Sequence, residues 1–357
     1  MSPTSGSCLP GIGALSKTIP IPLAKPKFTG EAPSLNWKNV KKNSTIAKAS
    51  PKNDISNQGT STLSHTAAAN GKMIAGNRYL TLDEISKSLQ LKTLLDSKKG
   101  QIILTKGGAQ IQFSSGQDYI TYQQSKIFLA HSILFQGNDL LVSYGDYLNV
   151  LVPLLAINLV SKKKPSLKTI AIDAGHGGKD SGATNSNLHI FEKDITLQIA
   201  KLLKTELLRE KFLVIETRAT DIFIELKDRP FKAKNADFFI SIHGNASANK
   251  SAHGVEVFTL KRSENATGNA FDPWNLIAGY CVLSKLAAVT KFENRGLKME
   301  KFAVLKSLTI PGILVEIGFI TNDAEGKKLA DPLFQKQIVQ GLVDGIKNYS
   351  KNLSKKR

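Results

Sequence analysis

Three polar residues sit where catalysis would need them. His176 follows an apolar run in AIDAGHGG, His243 follows another in ISIHGN, and Glu316 lies inside ILVEIGF. In open α/β sheets, ligands gather beyond the carboxyl ends of the strands, where both histidines fall. A carboxylate inside so apolar a strand is costly unless it is paired, binds a metal, or is held protonated for a purpose. The glycines of GHGG and HGN let the backbone come close to a bound group. Taken bare, each run equally fits a loop histidine that makes an ordinary polar contact. GHGG is not a phosphate loop, because it has neither the Walker Lys-Ser/Thr pair nor the dinucleotide glycine spacing. His65, His131, His189 and His253 rank lower as candidates: they lie in the leader, at the end of a strand-like run, or in loops.

The segments around these residues predict an α/β domain. KTIAIDAG (168–175), FLVIETR (212–218), ADFFISIHGN (236–245), GVEVFTL (254–260) and ILVEIGFI (313–320) read as strands. Leu197 to Leu208, Leu276 to Ala288 and Phe334 to Tyr349 carry helical spacing, the second as an amphipathic helix. Strands rich in Ile, Val and Phe alternating with helices predict a twisted, mostly parallel or mixed sheet flanked by helices. Upstream lies a small, mainly β (α+β) domain. In it YLTLDEISKSLQL (79–91) is an extended piece followed by a helix. QIILT, AQIQF, KIFLA and DLLVSY are strands separated by turn signals at Gly107-Gly108, Ser115-Gly116 and Gly137-Asn138. The division is a disordered basic leader (1–71), the small domain (72–157), a linker (158–166) and the catalytic domain (167–350).

The totals set outer limits. The 357 residues carry 48 basic and 29 acidic side chains, a formal charge of +19. That charge favours an anionic partner: nucleic acid, anionic lipid or an acidic wall polymer. Nucleic acid has no recognition helix, zinc finger or RNA-binding strand motif behind it, so none is expected as a partner. Residues 1–70 hold eight Lys and two acidic residues, and the irregular apolar spacing reads as a flexible leader. The first residues lack the basic start and apolar core of a signal peptide. With no apolar run of 18 residues, no transmembrane helix is expected. Cys8 and Cys281 do not suggest a disulfide or a Cys-rich metal site.

Seven stretches, in order, resemble the zinc-dependent N-acetylmuramoyl-L-alanine amidases known as amidase type 3. They are IDAGHGGKDSGA (172–183), FEKDI (191–195), TRATDIFIELKDR (217–229), ADFFISIHGNAS (236–247), HGVEVF (253–258), NRGLK (294–298) and PGILVEIGFITN (311–322). The resemblance spans about 168–348. It implies one Zn²⁺ on His176, Glu192 and His243, with Glu316 as the catalytic carboxylate. It implies a groove for peptidoglycan, cut between N-acetylmuramic acid and L-alanine of the stem peptide, in wall remodelling or daughter-cell separation. It also implies residence in the cell envelope, periplasm or outside the cell. The family commonly has HAN where this chain has His243-Gly244-Asn245. The stretch between Arg229 and Ala236 looks about two residues short, which predicts a trimmed helix. Thr259 to Pro273 is too short and polar for the long inhibitory helix that some relatives carry.

Further residues are assigned by the chemistry such a site needs. Asp173 and Asp180 are candidate acceptors for the second nitrogen of a ligating histidine. Asn245 orients the loop or binds substrate. Arg218, Arg229 and Arg295 either pair with the acidic stem peptide or form structural salt bridges. The basic leader would concentrate the enzyme near anionic wall polymers. Residues 79–155 resemble the stalk-like β domain at the front of copper amine oxidases, or else an amidase-associated β module that meets an activator or envelope protein. Copper chemistry is not implied.

Overall fold

The structure, a computed structural model, describes residues 71–96, 101–114, 117–136, 139–156, 165–261 and 271–354. Outside them lie the expected leader up to residue 70, Cys8, His65, most of the linker, two of the three turn signals and the middle of Thr259–Pro273. All described residues belong to one compact unit.

The frame is a mixed sheet. Strand β10 is Thr169–Ala174, β13 is Leu213–Glu216, β14 is Phe238–Asn245 and β17 is Gly312–Phe319. These four run parallel in the order β13-β10-β14-β17. Both faces of β10, β14 and β17 are covered, which is why they read as near-continuous apolar runs and not as an alternation. Next, β15 (Val255–Leu260) pairs antiparallel with β17, and β16 (Asn294–Glu300) pairs parallel with β15. Strand β16 was not expected from the sequence: its residues, NRGLKME, are mostly polar and carry no apolar run.

The period of two along each strand sorts side chains between two layers. Ile170, Ile172, Ile240, Val257, Ile313 and Val315 enter the large core, together with residues of α4 (Glu192–Arg209), α6 (Asp272–Thr290) and α9 (Pro332–Ser354). Ala171, Phe239, Phe258 and Leu314 face a second, smaller core with the short helices α5 (Asp228–Lys232) and α7 (Ala303–Lys306). By the same alternation Asp173, His243, Glu256 and Glu316 belong to this thinly covered face. The expected helix at 276–288 is present inside α6, but it is not amphipathic. Its buried residues run almost all round, from Trp274 to Leu286. The sheet lies on one side of it, α9 on another, and the helical run from the upstream segment on a third.

That upstream segment opens with β1 (Lys72–Ile74) and β2 (Asn77–Thr81), then α1 (Leu82–Leu89). Helix α1 is held by a Thr81–Glu84 capping box and buries Ile85 and Leu89. Strands β3 (Lys92–Asp96), β4 (Gln101–Lys106), β5 (Ala109–Ser114), β6 (Tyr119–Tyr122) and β7 (Ser125–Phe128) form an antiparallel meander. Then come β8 (Leu134–Gln136) and β9 (Asp139–Ser143), which join β2 in a four-stranded sheet ordered β1-β2-β9-β8. Helix α2 (Tyr144–Asp146), a π-turn (Tyr147–Leu151) and α3 (Val152–Leu155) complete the segment. Residues on both sides of the expected break share one sheet: β7 pairs parallel with β16, with Leu297 opposite Ile127. The result is eleven strands ordered β13-β10-β14-β17-β15-β16-β7-β6-β5-β4-β3.

Candidate metal centre

The first candidate ligand is set by a turn. Strand β10 ends at Ala174, and His176 takes a left-handed backbone with φ of 62°. Non-glycine residues adopt this region at a cost, and they persist there when the surroundings over-determine them. Here two arginines do so. Arg229 donates to Asp173 Oδ1 at 2.9 Å, to the carbonyl of Ala174 at 2.9 Å and to that of His176 at 2.8 Å. Arg218 donates to the carbonyls of Ala174, Gly175 and Lys193. Both arginines are only 2% exposed, so they brace the loop and are not free to meet a substrate.

The second candidate ligand comes from a helix start. Glu192 is the first residue of α4, where the helix dipole favours a negative charge. Its Oε2 accepts from the amide of Ala183 at 2.7 Å, and its Oε1 accepts from the amide of Gly244 at 2.9 Å. The third candidate, His243, sits near the end of β14. Tight packing holds all three. A Cβ on Gly175 would lie 2.5 Å from the His243 ring, and one on Gly182 would lie 2.5 Å from Glu192 Oε2. At Gly244 a Cβ would meet Ile320 Cγ1 at 2.6 Å.

The three side chains converge. Glu192 Oε1 is 3.0 Å from His176 Nε2 and 3.0 Å from His243 Nδ1, and the rings stand edge to face at 5.0 Å. One ligand atom from each lies within 4.8 Å of the others, so the cluster could hold a metal ion. The donor set suits one: two imidazoles and a carboxylate leave a coordination position open. The outer nitrogen of His176 also has its acceptor, since Nδ1 lies 2.8 Å from Asp180 Oδ2. Burial pulls the His176 pKa down, but the carboxylates of Glu192 and Asp180 outweigh it and the net shift is upward. Burial likewise pushes Glu192 up, and its two histidine partners outweigh that, so it lies well below the usual carboxylate range.

Glu316 lies directly across from His243 in the register of β14 and β17. Its Oε2 is buried without a hydrogen-bond partner among the described residues. Burial pushes its carboxyl well above the usual range, and the charges of Glu192 and Glu256 push the same way against Lys298. An unpartnered acid beside a metal-type donor set is what a proton-transfer step requires.

The remaining candidates make contacts within the chain. Asp173 does not reach a ligating histidine. It accepts from Thr217, Ser241 and Arg229. Asn245 donates to Glu256 Oε2 at 3.3 Å. Arg295 pairs with Glu256, which is 3% exposed and sits opposite Glu316 in the β15–β17 register. Glu256, within HGVEVF, has no role assigned from the sequence. The available signal was a second carboxylate inside an apolar strand. Asp221 was also missed: it accepts from the Gly178 amide and from Lys193, fastening the loop after His176. His131, His189 and His253 are not among the converging ligands.

The family model described as N-acetylmuramoyl-L-alanine amidase matches residues 170–348, half of the chain. The chain belongs to this amidase family. Among curated amidase relatives, the probable cell wall amidase LytH of Staphylococcus epidermidis is 36% identical over 183 residues, 51% of this chain and 58% of the relative. LytH of Staphylococcus aureus is 32% identical over 197 residues, 55% and 63% respectively. The chain thus spans about three-fifths of the length of these relatives. Among solved amidase structures, the N-acetylmuramoyl-L-alanine amidase from Clostridium difficile 630 is 34% identical, covering 53% of this chain and 99% of that one, with a TM-score of 0.48. The catalytic domain of CwlV from Bacillus (Paenibacillus) polymyxa var. colistinus is 33% identical, covering 52% and 99%, with a TM-score of 0.46. All seven motif stretches, from 172–183 to 311–322, fall within the matched span.

Proposed function

We propose that the protein hydrolyses the amide between N-acetylmuramic acid and L-alanine of peptidoglycan, with one Zn²⁺ on His176, Glu192 and His243 and with Glu316 as catalytic acid and base. The observation that carries this reading is the meeting of three ligand atoms within 4.8 Å near the half-buried Glu316, whose Oε2 is buried without a hydrogen-bond partner among the described residues. When bound, zinc would supply Lewis acidity and bring the pKa of water toward about 7. Glu192 leaves the site a net charge of about +1 with that ion, while Asp180 fixes the His176 ring so that Nε2 faces inward. Glu316 takes a proton from the attacking water and returns it to the nitrogen of the leaving L-alanine. The second step matters as much as the first, because an unprotonated amine is a poor leaving group.

No described helix is long and apolar enough to cross a membrane. The substrate places the enzyme in the cell envelope, periplasm or outside the cell, in wall remodelling or daughter-cell separation. The formal charge of +19, six of it net in residues 1–70, supports adsorption to anionic wall polymers. A partner protein that meets residues 79–155 fits the amidase-associated module reading of that segment.

The test is a digestion of purified peptidoglycan by the full chain, read by mass spectrometry. Release of stem peptides with a free L-alanine amino group, abolished by a chelator and restored by Zn²⁺, is the expected result. Cleavage at any other bond, or full activity after exhaustive metal removal, would overturn the reading.

A further inference from the structure

The network around Glu256 links the catalytic face to the upstream strands. Glu256 faces Glu316 across the β15–β17 ladder, on the same face of the sheet. Its carboxylate ties three strands together. It accepts from Asn245, two residues beyond His243 on β14. From β16 it pairs with Arg295 and accepts from Lys298 Nζ at 2.8 Å. The ammonium of Lys298 is in turn held over two rings: Phe258 of β15 at 5.8 Å and Phe128 of β7 at 5.3 Å. Phe128 therefore reaches the charge network from a strand of the upstream segment. The seam between β7 and β16 is close. Asn294 donates to buried Ser125 at 3.0 Å, and a Cβ on Gly296, whose φ is 102°, would lie 2.8 Å from the Lys126 carbonyl.

A buried carboxylate beside a second carboxylate must be compensated, or one of them moves or takes up a proton. Arg295 and Lys298 supply the compensation, and the Lys298 ammonium lies over the ring from β7. We infer that Phe128, acting through Lys298 and Glu256, is a positioning residue for Glu316, and that the upstream sheet is a working part of the hydrolytic site. The inference rests on the function proposed above for Glu316, and it assigns residues 72–156 a task in addition to any tethering.

The experiment is a double-mutant cycle in the full chain with two readouts. Phe128→Leu keeps the apolar bulk and removes the ring face; Lys298→Met keeps the stem and removes the charge. Each is expected to lower kcat by about two- to tenfold with KM and bound metal unchanged, and the double variant is expected to be no slower than the slower single. Phe128→Tyr, which keeps the ring, is expected to retain parental kcat. Glu256→Gln is expected to lose about tenfold or more, as a displaced reacting group does. The second readout needs no substrate: the carboxyl ¹³C resonance of Glu316, assigned by its loss in Glu316→Gln, is expected to move in Phe128→Leu and Lys298→Met. It is expected to stay in place in Leu94→Ser on the far edge strand β3, where Leu94 is 61% exposed. An unmoved Glu316 resonance in both variants overturns the inference, and so do rate losses that simply multiply in the double. If the parent chain cuts no amide but the resonance moves, the positioning stands and the proposed reaction falls.

Discussion

In the proposed reaction Glu316 and Asp180 do different work, and their variants should separate. Glu316→Gln keeps the shape and the metal ligands, so bound zinc should stay stoichiometric while turnover falls by at least about 10²-fold. Metal analysis beside a rate assay checks this. Asp180→Asn removes the charged acceptor behind His176, which should weaken metal affinity by about 10- to 100-fold while leaving the fold intact. A chelator competition curve reads that directly. Protons compete at the same nitrogen. The His176 pKa lies above the ordinary value of about 6.5, so in the metal-free protein its proton persists to higher pH than usual. Metal affinity should therefore rise with pH through that raised value and level off above it. Metal titrations by calorimetry at several pH values would show it, and a flat profile would remove His176 as a ligand.

Among the elements, the loop between β10 and α4 depends on buried charge. Arg229 and Asp173 are 2% and 0% exposed at the side chain, and their pair is supported by Thr217 and Ser241. Replacing one partner of such a pair leaves an uncompensated buried charge. Arg229→Met should cost about 3–5 kcal/mol, read as a lower urea midpoint. Metal binding should weaken with it, because the His176 carbonyl loses its donor. By contrast, Gly175→Ala tests packing alone. Its methyl would press on the His243 ring, so zinc should be lost without comparable loss of the sheet, as measured by metal content against far-ultraviolet circular dichroism.

At the scale of the whole molecule, two balances matter. The excess of positive charge predicts that adsorption to purified wall falls steeply between low and high salt. A sedimentation assay across salt concentrations checks it. The apo site carries opposing pH dependences. Glu192 is depressed, so its contribution to stability is complete above about pH 4.3 and is lost as pH falls through its lower folded value. His176 is raised, so its contribution is complete below about pH 6.5 and is lost as pH rises through its folded value.

Much of this was legible in the sequence because it is local. The apolar runs IAID, FFISI and ILVEI are long enough to declare buried strands. Gly177 and Gly178 after His176 mark a turn, and a carboxylate in ILVEIGF is conspicuous because its burial is costly. Glu192 could be named only through the family's motif, since nothing local distinguishes a helix-start glutamate that binds metal from one that caps. Other assignments needed three dimensions. Whether Arg218 and Arg229 face substrate or backbone depends on what packs over them, and both proved to be buried braces. Helix α6 read as amphipathic because its sequence cannot show that a third layer covers its remaining face. Strand β16 carried no apolar run, yet it joins the two halves of the sheet, because strand pairing is a backbone interaction between segments distant in sequence. Thus the order and type of most elements, and the residues capable of chemistry, follow from the sequence through burial and turn chemistry. The pairing of β7 with β16, and the meeting of Glu256 with Glu316, follow only from register, which is fixed once all the strands have packed.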